Sequence, residues 1–457
     1  MTIEPALLSI RFGTGRAPDQ PDPAAPDELI ASLASPERLA EKYPSPDMAE
    51  ANARALRLAA LKRDLRDRTD PESERAFDAL RAEATAQMQL ARKHRIARAL
   101  DSAAPLRERL EWFWADHFTV ALRGAAERRI VSDIFIAEAI RPHVTGRFAD
   151  MLKAVVKHPG MLRYLDQAAS VGPNSVVARR RPGAGLNENL ARELLELHTL
   201  GVKGAYGQAD VHQLAELLAG LFENPGKGFL FLPQRGEPGA KQVLGRSYGG
   251  AQPRLDDIDS FLEDIANHPD TAQHIGRKLA VHFVADAPVP ALVNALSRRF
   301  RETDGDLFAV AAALVEHPAA LVPERTKIRQ PMDFIVAGLK SLGHTGEQIA
   351  GYENRVFVQR VVRPMTLMGQ PWLLPPGPDG WPEEAAHWTT PQGLARRIDW
   401  ATRIAGHMGR GVPDPRRFVW DALGPLASPR LVHAAAAAET RREGVAIVLA
   451  SPDFQRR

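Results

Sequence analysis

The chain has 457 residues, of which 44% are hydrophobic and 25% charged, as in ordinary globular proteins. Its 59 basic and 56 acidic side chains leave a formal net charge of +3, too small on so long a chain to indicate a nucleic-acid-binding surface. The sequence has no cysteine, which excludes disulfides, thiolate metal sites and a cysteine nucleophile. The length predicts two or three domains or one large helical unit.

The amino-terminal segment has neither the basic region nor the apolar stretch of a secretion signal. No window of the chain approaches the length of uncharged apolar sequence that a membrane-spanning helix needs. These features predict a cytoplasmic location, with the periplasm left open as the alternative. Prolines in the stretch "RAPDQPDPAAPDE" then interrupt any helix, because proline lacks the backbone N–H and clashes with the preceding turn.

Helical periodicity dominates the first half of the chain. Residues 47–102 carry long runs of Ala, Leu, Arg and Glu, which are typical of amphipathic helices. The pattern predicts a mainly α protein, a large multi-helix orthogonal bundle whose amino-terminal region, 1–225, surrounds a central helix at 187–200. The other helices are predicted near 104–120, 128–141, 146–157, 160–167 and 208–221.

The pattern changes after residue 225. Residues 226–250 show short apolar alternation broken by Gly and Pro, which predicts a β-hairpin or ribbon inserted between two helical regions. The second helical region, 251–457, is interrupted by a long Pro- and Trp-rich loop at 369–388. Such a loop is usually functional or packed on the core. Its tryptophans either stack on sugar rings or anchor the loop, and these are Trp372, Trp381 and Trp388.

Three His-Pro pairs each follow an apolar helical run, at His158, His268 and His317. Proline suits the first turn of a helix, and the residue before it is pushed out of the α region. The pairs therefore predict helix–corner–helix units. In each, we expect the histidine to cap the carbonyls at the end of the preceding helix.

The stretch "NENLARELLELHTLGV" concentrates polar side chains on one short helix. At 100° per residue, Glu193 and Glu196 share a face with Asn189 beside a leucine stripe, so we expect both carboxylates to be partly buried. His198 falls about 160° from Glu196, which excludes a metal site of the Glu-x-x-His type. Two close carboxylates raise the pKa of one of them and need a cation, for which Arg192 is a candidate.

A second candidate lies in "RLEWFWADHFTV". Here His117 shares an apolar helical face with aromatic residues, while Asp116 points elsewhere. One interpretation is a core histidine satisfied by a carboxylate. The other places His117 beside Glu193 and Glu196, either as an acid–base set or as ligands of one divalent metal ion.

Together these motifs resemble one family closely. The stretches "WFWADHFTV", "MLRYLDQAASVGPNS", "NENLARELLELHTLGV", "EPGAKQVLG" and "PPGPDGWP", in this order, are similar to the bacterial proteins called domain of unknown function 1800, over nearly the whole chain. The resemblance implies no established activity. Many members carry export signals and are encoded beside an exported protein with an alkaline-phosphatase or sulfatase-like fold, which implies a paired envelope function.

This chain departs from that family pattern in two ways. It lacks the export signal, and it has Arg235 and Gly236 where many relatives have a histidine before "EPGAK". Two hypotheses follow. The protein is an enzyme of unknown substrate that uses His117, Glu193 and Glu196 with Arg192 as charge partner. Alternatively, it is a non-catalytic scaffold or maturation partner of the co-encoded phosphatase-like protein, and the same residues form a buried structural network.

Overall fold

A computed structural model describes residues 3–67, 70–181 and 183–457, without the side chains of Asp67 and Arg410. Helices account for 64% of the chain, so the prediction of a mainly α protein is confirmed. No helix within the described ranges combines the length and apolar character needed to cross a lipid bilayer.

Many helices of the amino-terminal half begin at a proline, whose fixed φ and missing N–H suit the first helical position. The α-helices before the first strand are α1 (Pro5–Arg11), α2 (Pro26–Ala34), α3 (Leu39–Lys42), α4 (Met48–Asp67), α5 (Pro71–Asp101), α6 (Pro105–His117), α7 (Ala126–Phe135), α8 (Phe148–Lys157), α9 (Pro159–Tyr164), α10 (Val176–Arg180), α11 (Asn189–Glu193) and α12 (Gln208–Leu218).

Four short strands form two antiparallel hairpins in the described part of the chain. Strands β1 (Leu221–Asn224) and β2 (Gly228–Phe231) pair with Leu221 opposite Phe231, and β3 (Lys241–Val243) and β4 (Arg246–Tyr248) pair with Lys241 opposite Tyr248. The predicted ribbon insertion is therefore confirmed, but as two hairpins, the first of which begins before residue 226.

The carboxy-terminal half is again helical. Its α-helices are α13 (Leu255–Ala266), α14 (Pro269–Phe283), α15 (Pro290–Glu302), α16 (Leu307–Glu316), α17 (Pro331–Ser341), α18 (Gly346–Ala350), α19 (Asn354–Phe357), α20 (Arg363–Leu367), α21 (Ala385–Trp388), α22 (Pro391–His407), α23 (Pro415–Leu423), α24 (Pro429–Ala436), α25 (Arg441–Ala450) and α26 (Pro452–Gln455). Wider π-helical turns extend α7, α11 and α19, at Ile136–Ile140, Leu194–Thr199 and Val358–Val362.

The three His-Pro corners are present, but the histidines cap the following helix. In His158, His268 and His317 the Nδ1 atom accepts a hydrogen bond from the backbone N–H two residues later, at 2.9, 3.1 and 3.2 Å. The expectation that they cap the preceding helix was wrong. A proline at the first helical position leaves the next N–H without an intrahelical acceptor, and the imidazole supplies one.

Two hydrophobic cores organise the molecule. The first contains buried residues from Leu8 to Leu321. The second is built mainly from residues 334–454 but also contains Ile10 from α1 and Ile96 from α5. Along the chain, the boundary between the two cores therefore lies between α16 and α17. Neither core is confined to one of the regions 1–225, 226–250 and 251–457.

Candidate functional site

The end of α6 is buried on its aromatic face. His117 is 1% exposed, and its ring packs among those of Phe113, Trp114 and Phe118 at centroid distances of 4.5 to 6.1 Å. These contacts follow from helical spacing, which puts residues three and four apart on one side. Asp116 lies on the other side and is only half-buried.

The central helix ends in a π-turn, which rotates its side chains away from the positions that regular helical spacing gives. The N–H of Leu200 donates to the carbonyl of Leu195 at 3.0 Å, one residue further back than in an α-helix. As a result Leu195 is buried, Leu197 is half-buried, and His198 is 1% exposed. The sequence had placed His198 at the margin of the apolar stripe.

Two histidines from other helices cap the end of this π-turn. His117 Nε2 donates to the carbonyl of His198 at 3.1 Å, and His274 Nε2 on α14 donates to the carbonyl of Leu197 at 3.0 Å. Terminal helix carbonyls have no partner within the helix, so these bonds satisfy two acceptors that would otherwise be buried unpaired. A carbonyl only accepts, so both Nε2 atoms carry hydrogen.

The imidazoles of this cluster are neutral near pH 7. The His117 ring centroid lies 6.1 Å from those of both His198 and His274. Burial, reinforced by the positive charge of Lys278, lowers the pKa of His198 to about 3 and of His274 to about 4, and it lowers the pKa of His117 well below its ordinary value. His117 Nδ1 is buried and has no hydrogen-bond partner among the described residues.

Glu193 and Glu196 are both half-buried, as expected. Burial and then the neighbouring Glu196 charge raise the pKa of Glu193. Arg192 instead donates to Glu188 and Gln208, each at 3.1 Å.

The structure does not assemble the three predicted ligands into one metal site. Across residues 3–67, 70–181 and 183–457, no three His, Asp or Glu side chains are grouped closely enough to hold a metal ion. His117 instead directs its Nε2–H to the carbonyl of His198, and Glu193 has Glu196 as its carboxylate neighbour.

The long loop contributes an acidic residue, Asp379, to the surroundings of both Glu193 and Asp116. The charge of Asp379 contributes to the raised pKa of Glu193 and also to that of Asp116. Coulombic effects decline with distance, so Asp379 lies near both carboxyl groups. We call the set Asp116, Glu193, Lys278, Asp379 and Glu383, which are linked by such charge effects, the acid–base cluster.

Asp116 keeps a proton to unusually high pH. Burial raises its pKa to about 7, with further contributions from Glu383 and Asp379, while Lys278 and the backbone N–H of Trp381 oppose the shift. That N–H donates to Asp116 Oδ1 at 2.9 Å. Gly380 makes this approach possible, because a Cβ there would lie 2.7 Å from the carbonyl oxygen of Asp116.

Lys278 is the cation of the cluster. It is half-buried on α14, one turn after His274, and burial lowers its pKa although Asp116, Glu383 and Asp379 act in the opposite direction. In the described part of the chain, no carboxylate lies within the 4.0 Å of an ion pair with Lys278.

The pKa of Glu383 is shifted in the opposite direction to that of Asp116. Burial alone would raise its pKa, but His282 and Lys327 hold it at about 2. His282 Nδ1 donates to Glu383 Oε1 at 2.5 Å, and Lys327 Nζ lies 3.0 Å from Oε2. This fixed anion attaches the end of the loop to α14.

Sequence reasoning selected His117 and Glu193 but missed Asp116, Lys278 and Glu383. One signal was present. His274, Lys278 and His282 recur every four residues on α14, so they share a face. The proximity of the loop to that face depends on tertiary packing, which spacing does not reveal.

Comparison with known proteins places the chain in one family. The family model described as "Protein of unknown function (DUF1800)" matches residues 8–456. No curated protein matches the chain. No solved structure matches it.

Proposed function

The chain belongs to the DUF1800 family, whose function is unknown, and we propose from its site that it is an enzyme that moves protons in the acid–base cluster. Asp116 would be the general acid, since it retains a proton near neutral pH. Lys278 would supply a cation, or a free amine base after deprotonation. The observation that carries this proposal is Lys278, which is half-buried, is influenced by the charges of Asp116, Glu383 and Asp379, and forms an ion pair with no carboxylate within the described chain.

Opposite pKa shifts in one cluster support this assignment. The pKa of Asp116 is raised to about 7 and that of Glu383 is lowered to about 2, so one carboxyl holds a proton while the other stays ionised. Acid–base enzymes separate their carboxyl groups in this way.

The residues chosen from the sequence take different parts in this proposal. Burial and the Glu196 charge raise the pKa of Glu193, which favours its protonated form, and the positive charge of Arg192 opposes that shift. His117 positions the central helix through its bond to the His198 carbonyl and does not itself react. The proposal includes no metal, because the described residues offer no three-ligand group.

The proposal is testable without knowledge of the substrate. Acetylation of the intact protein by acetic anhydride, followed by mass spectrometry of peptides over a range of pH, measures how much amine each lysine presents. We expect the Lys278 rate to reach half its maximum clearly below the ordinary lysine value of about 10.4. In an Asp116→Asn variant the midpoint should fall further, because a carboxylate that favours the ammonium form is lost.

Exposed Lys203 in the same digest serves as the internal control. A Lys278 midpoint at or above the ordinary lysine value would show an ion-paired structural lysine, and the acid–base proposal would fail.

A second candidate function is supported by a surface groove between α20 and α22. Arg363 and Arg396 line it, together with Leu367, which is 44% exposed. A basic, partly apolar groove suits an acidic partner surface, such as one on the co-encoded phosphatase or sulfatase-like protein. Ordinary reactivity of Lys278 would favour this scaffold function.

A further inference from the structure

A pocket lies where the two hydrophobic cores meet. Its walls come from α6, at Trp112 and Asp116, and from the long loop, at Trp372 and Trp381. The cavity volume is about 70 Å³. This exceeds what one water molecule needs and suits only a small ligand.

Several side chains that line this pocket carry buried hydrogen-bond donors without acceptors. They are Arg95 Nη1, Trp112 Nε1, Gln330 Nε2 and Arg457 Nη1, none of which has a partner among the described residues. A buried donor left unpaired costs about 1–3 kcal/mol. The lining side chains have no unpaired buried acceptor in the described structure, so the pocket is deficient in acceptors only.

Positive charge also exceeds negative charge at one wall. The carboxylate of Asp333 lies 3.1 Å from Arg109, 2.8 Å from Arg329 and 3.3 Å from Arg457. These side chains are all 5% exposed or less. Arg109 and Arg457 line the pocket with Asp333, whereas Arg329 does not. One carboxylate neutralises only one of the three guanidinium groups, so this wall attracts a further anion.

The remaining walls are apolar and aromatic, formed by Trp112, Phe135, Met332, Met365 and Trp372. We propose that the pocket binds a small organic carboxylate. Its carboxylate group would lie among Arg95, Trp112 and Arg457, and its short apolar body against the aromatic walls. Guanidinium groups match carboxylates in planar geometry, and the indole N–H adds a third donor. A bare phosphate would leave the apolar walls uncovered.

This inference deepens the proposed function, because Asp116 lines the same pocket. It rests on the proposed function in treating the ligand as a substrate. A ligand held by the arginines would present its other end to the Asp116 carboxyl. Binding itself requires no turnover and is measurable separately.

The test is isothermal titration calorimetry of the full chain with propionate and butyrate, at neutral pH and low salt. Propionamide and butyramide are the neutral controls, and inorganic phosphate is the anion control. We expect saturable binding of at least one carboxylate and at least tenfold weaker binding of its amide. Absence of binding by both carboxylates, equal binding of the amides, or tighter binding of phosphate would overturn the proposal.

A matched pair of variants locates the site. Trp112→Phe removes one pocket donor but keeps an aromatic ring, and we expect it to weaken carboxylate binding about tenfold. Trp114→Phe removes a donor that is also buried and unpaired but does not line the pocket, so the affinity should be unchanged. Equal effects of the two variants would place the ligand elsewhere.

The two tests fail separately. Carboxylate binding together with ordinary Lys278 reactivity would retain the binding site and reject the acid–base enzyme. A low Lys278 midpoint without carboxylate binding would retain the enzyme and reject this class of ligand.

Discussion

At the scale of single residues, burial rather than direct pairing sets the properties of the site. Burial is the largest cause of the lowered pKa in His117 and Lys278 and of the raised pKa in Asp116 and Glu193. Each shift favours the neutral form. Within the cluster Asp116, with a pKa of about 7, therefore exchanges its proton near neutral pH, whereas an exposed aspartate would be fully ionised there.

Gly201 illustrates how tightly the histidine cluster is packed. Its φ is +84°, and a Cβ there would lie 2.7 Å from His274 Nδ1. Gly201→Ala should lower the free energy of unfolding by about 2–4 kcal/mol, because backbone strain adds to a displaced imidazole that leaves the Leu197 carbonyl unpaired. Urea unfolding measures the change.

Gly245→Ala is the matched control, since Gly245 has φ +75° and open space around it. Gly245→Ala should lower the free energy of unfolding only by the cost of the backbone strain. Equal losses in the two variants would mean that the contact with His274 contributes nothing to stability.

The sequence could predict the environment of His117 but not its partner. Local spacing places His117 among aromatic residues, and that placement is observed. Its hydrogen bond goes to a backbone carbonyl of the central helix, which no side-chain pattern encodes. The partners of Asp116 are similarly remote in sequence, in α14 and the long loop.

At the scale of elements, helical periodicity located most helices and failed at the π-turn. The predicted helix at 187–200 is present as α11 and the π-turn Leu194–Thr199. The π-turn is stabilised by hydrogen bonds from His117 and His274, which belong to other helices. Helical spacing therefore could not predict the π-turn, because the hydrogen bonds that stabilise it come from elements remote in sequence.

The long loop is anchored to the core by its tryptophans, one of the two alternatives that the sequence left open. Trp372 Nε1 donates to Asp133 Oδ1 at 2.9 Å, and Trp388 Nε1 donates to the Pro382 carbonyl at 2.7 Å. The first bond joins the loop to α7, and the second lies within the loop and α21.

Trp372→Phe should destabilise the protein by about 1–3 kcal/mol, because it removes a donor from a buried carboxyl while keeping most of the ring packing. Asp133 Oδ2 already lacks a partner in the described structure. Burial raises the pKa of Asp133, and the loss should increase as the pH rises through that pKa, because the ionised carboxylate needs the donor more. Chemical denaturation at several pH values provides the measurement.

Trp388→Phe serves as the control, since its indole N–H binds a neutral carbonyl. We expect a smaller loss with no dependence on pH. A similar loss in both variants, constant with pH, would remove the case for a specific anchor at Asp133.

At the scale of the whole molecule, the two cores meet at the pocket. Buried arginines and Asp333 link α6, α17 and the end of the chain across this boundary. Pockets form preferentially at such boundaries. The sequence predicted the fold class and the hairpin insertion, but not this boundary. Ile10 and Ile96 pack in the second core although they are far in sequence from most of its residues. Periodicity shows which residues are buried, but it does not show in which core they are buried.

The central claim is that the fold suppresses ionisation of Asp116 at this boundary. Lys278, Glu383 and Asp379 are the charged groups that face it. The folded protein keeps the proton up to about pH 7, whereas the unfolded chain releases it near the ordinary aspartate pKa of 3.8. Between these values the folded state binds more protons, so raising the pH destabilises the wild-type protein through Asp116.

The most direct measurement is the free energy of urea unfolding for wild type and Asp116→Asn at several pH values. Asparagine keeps the acceptor for the Trp381 N–H but does not ionise. The stability of the variant relative to wild type should rise between about pH 4 and pH 7, by up to about 1.4 kcal/mol per pH unit, and then level off. A stability difference that is the same at every pH would show that Asp116 ionises normally, and it would contradict the acid–base account.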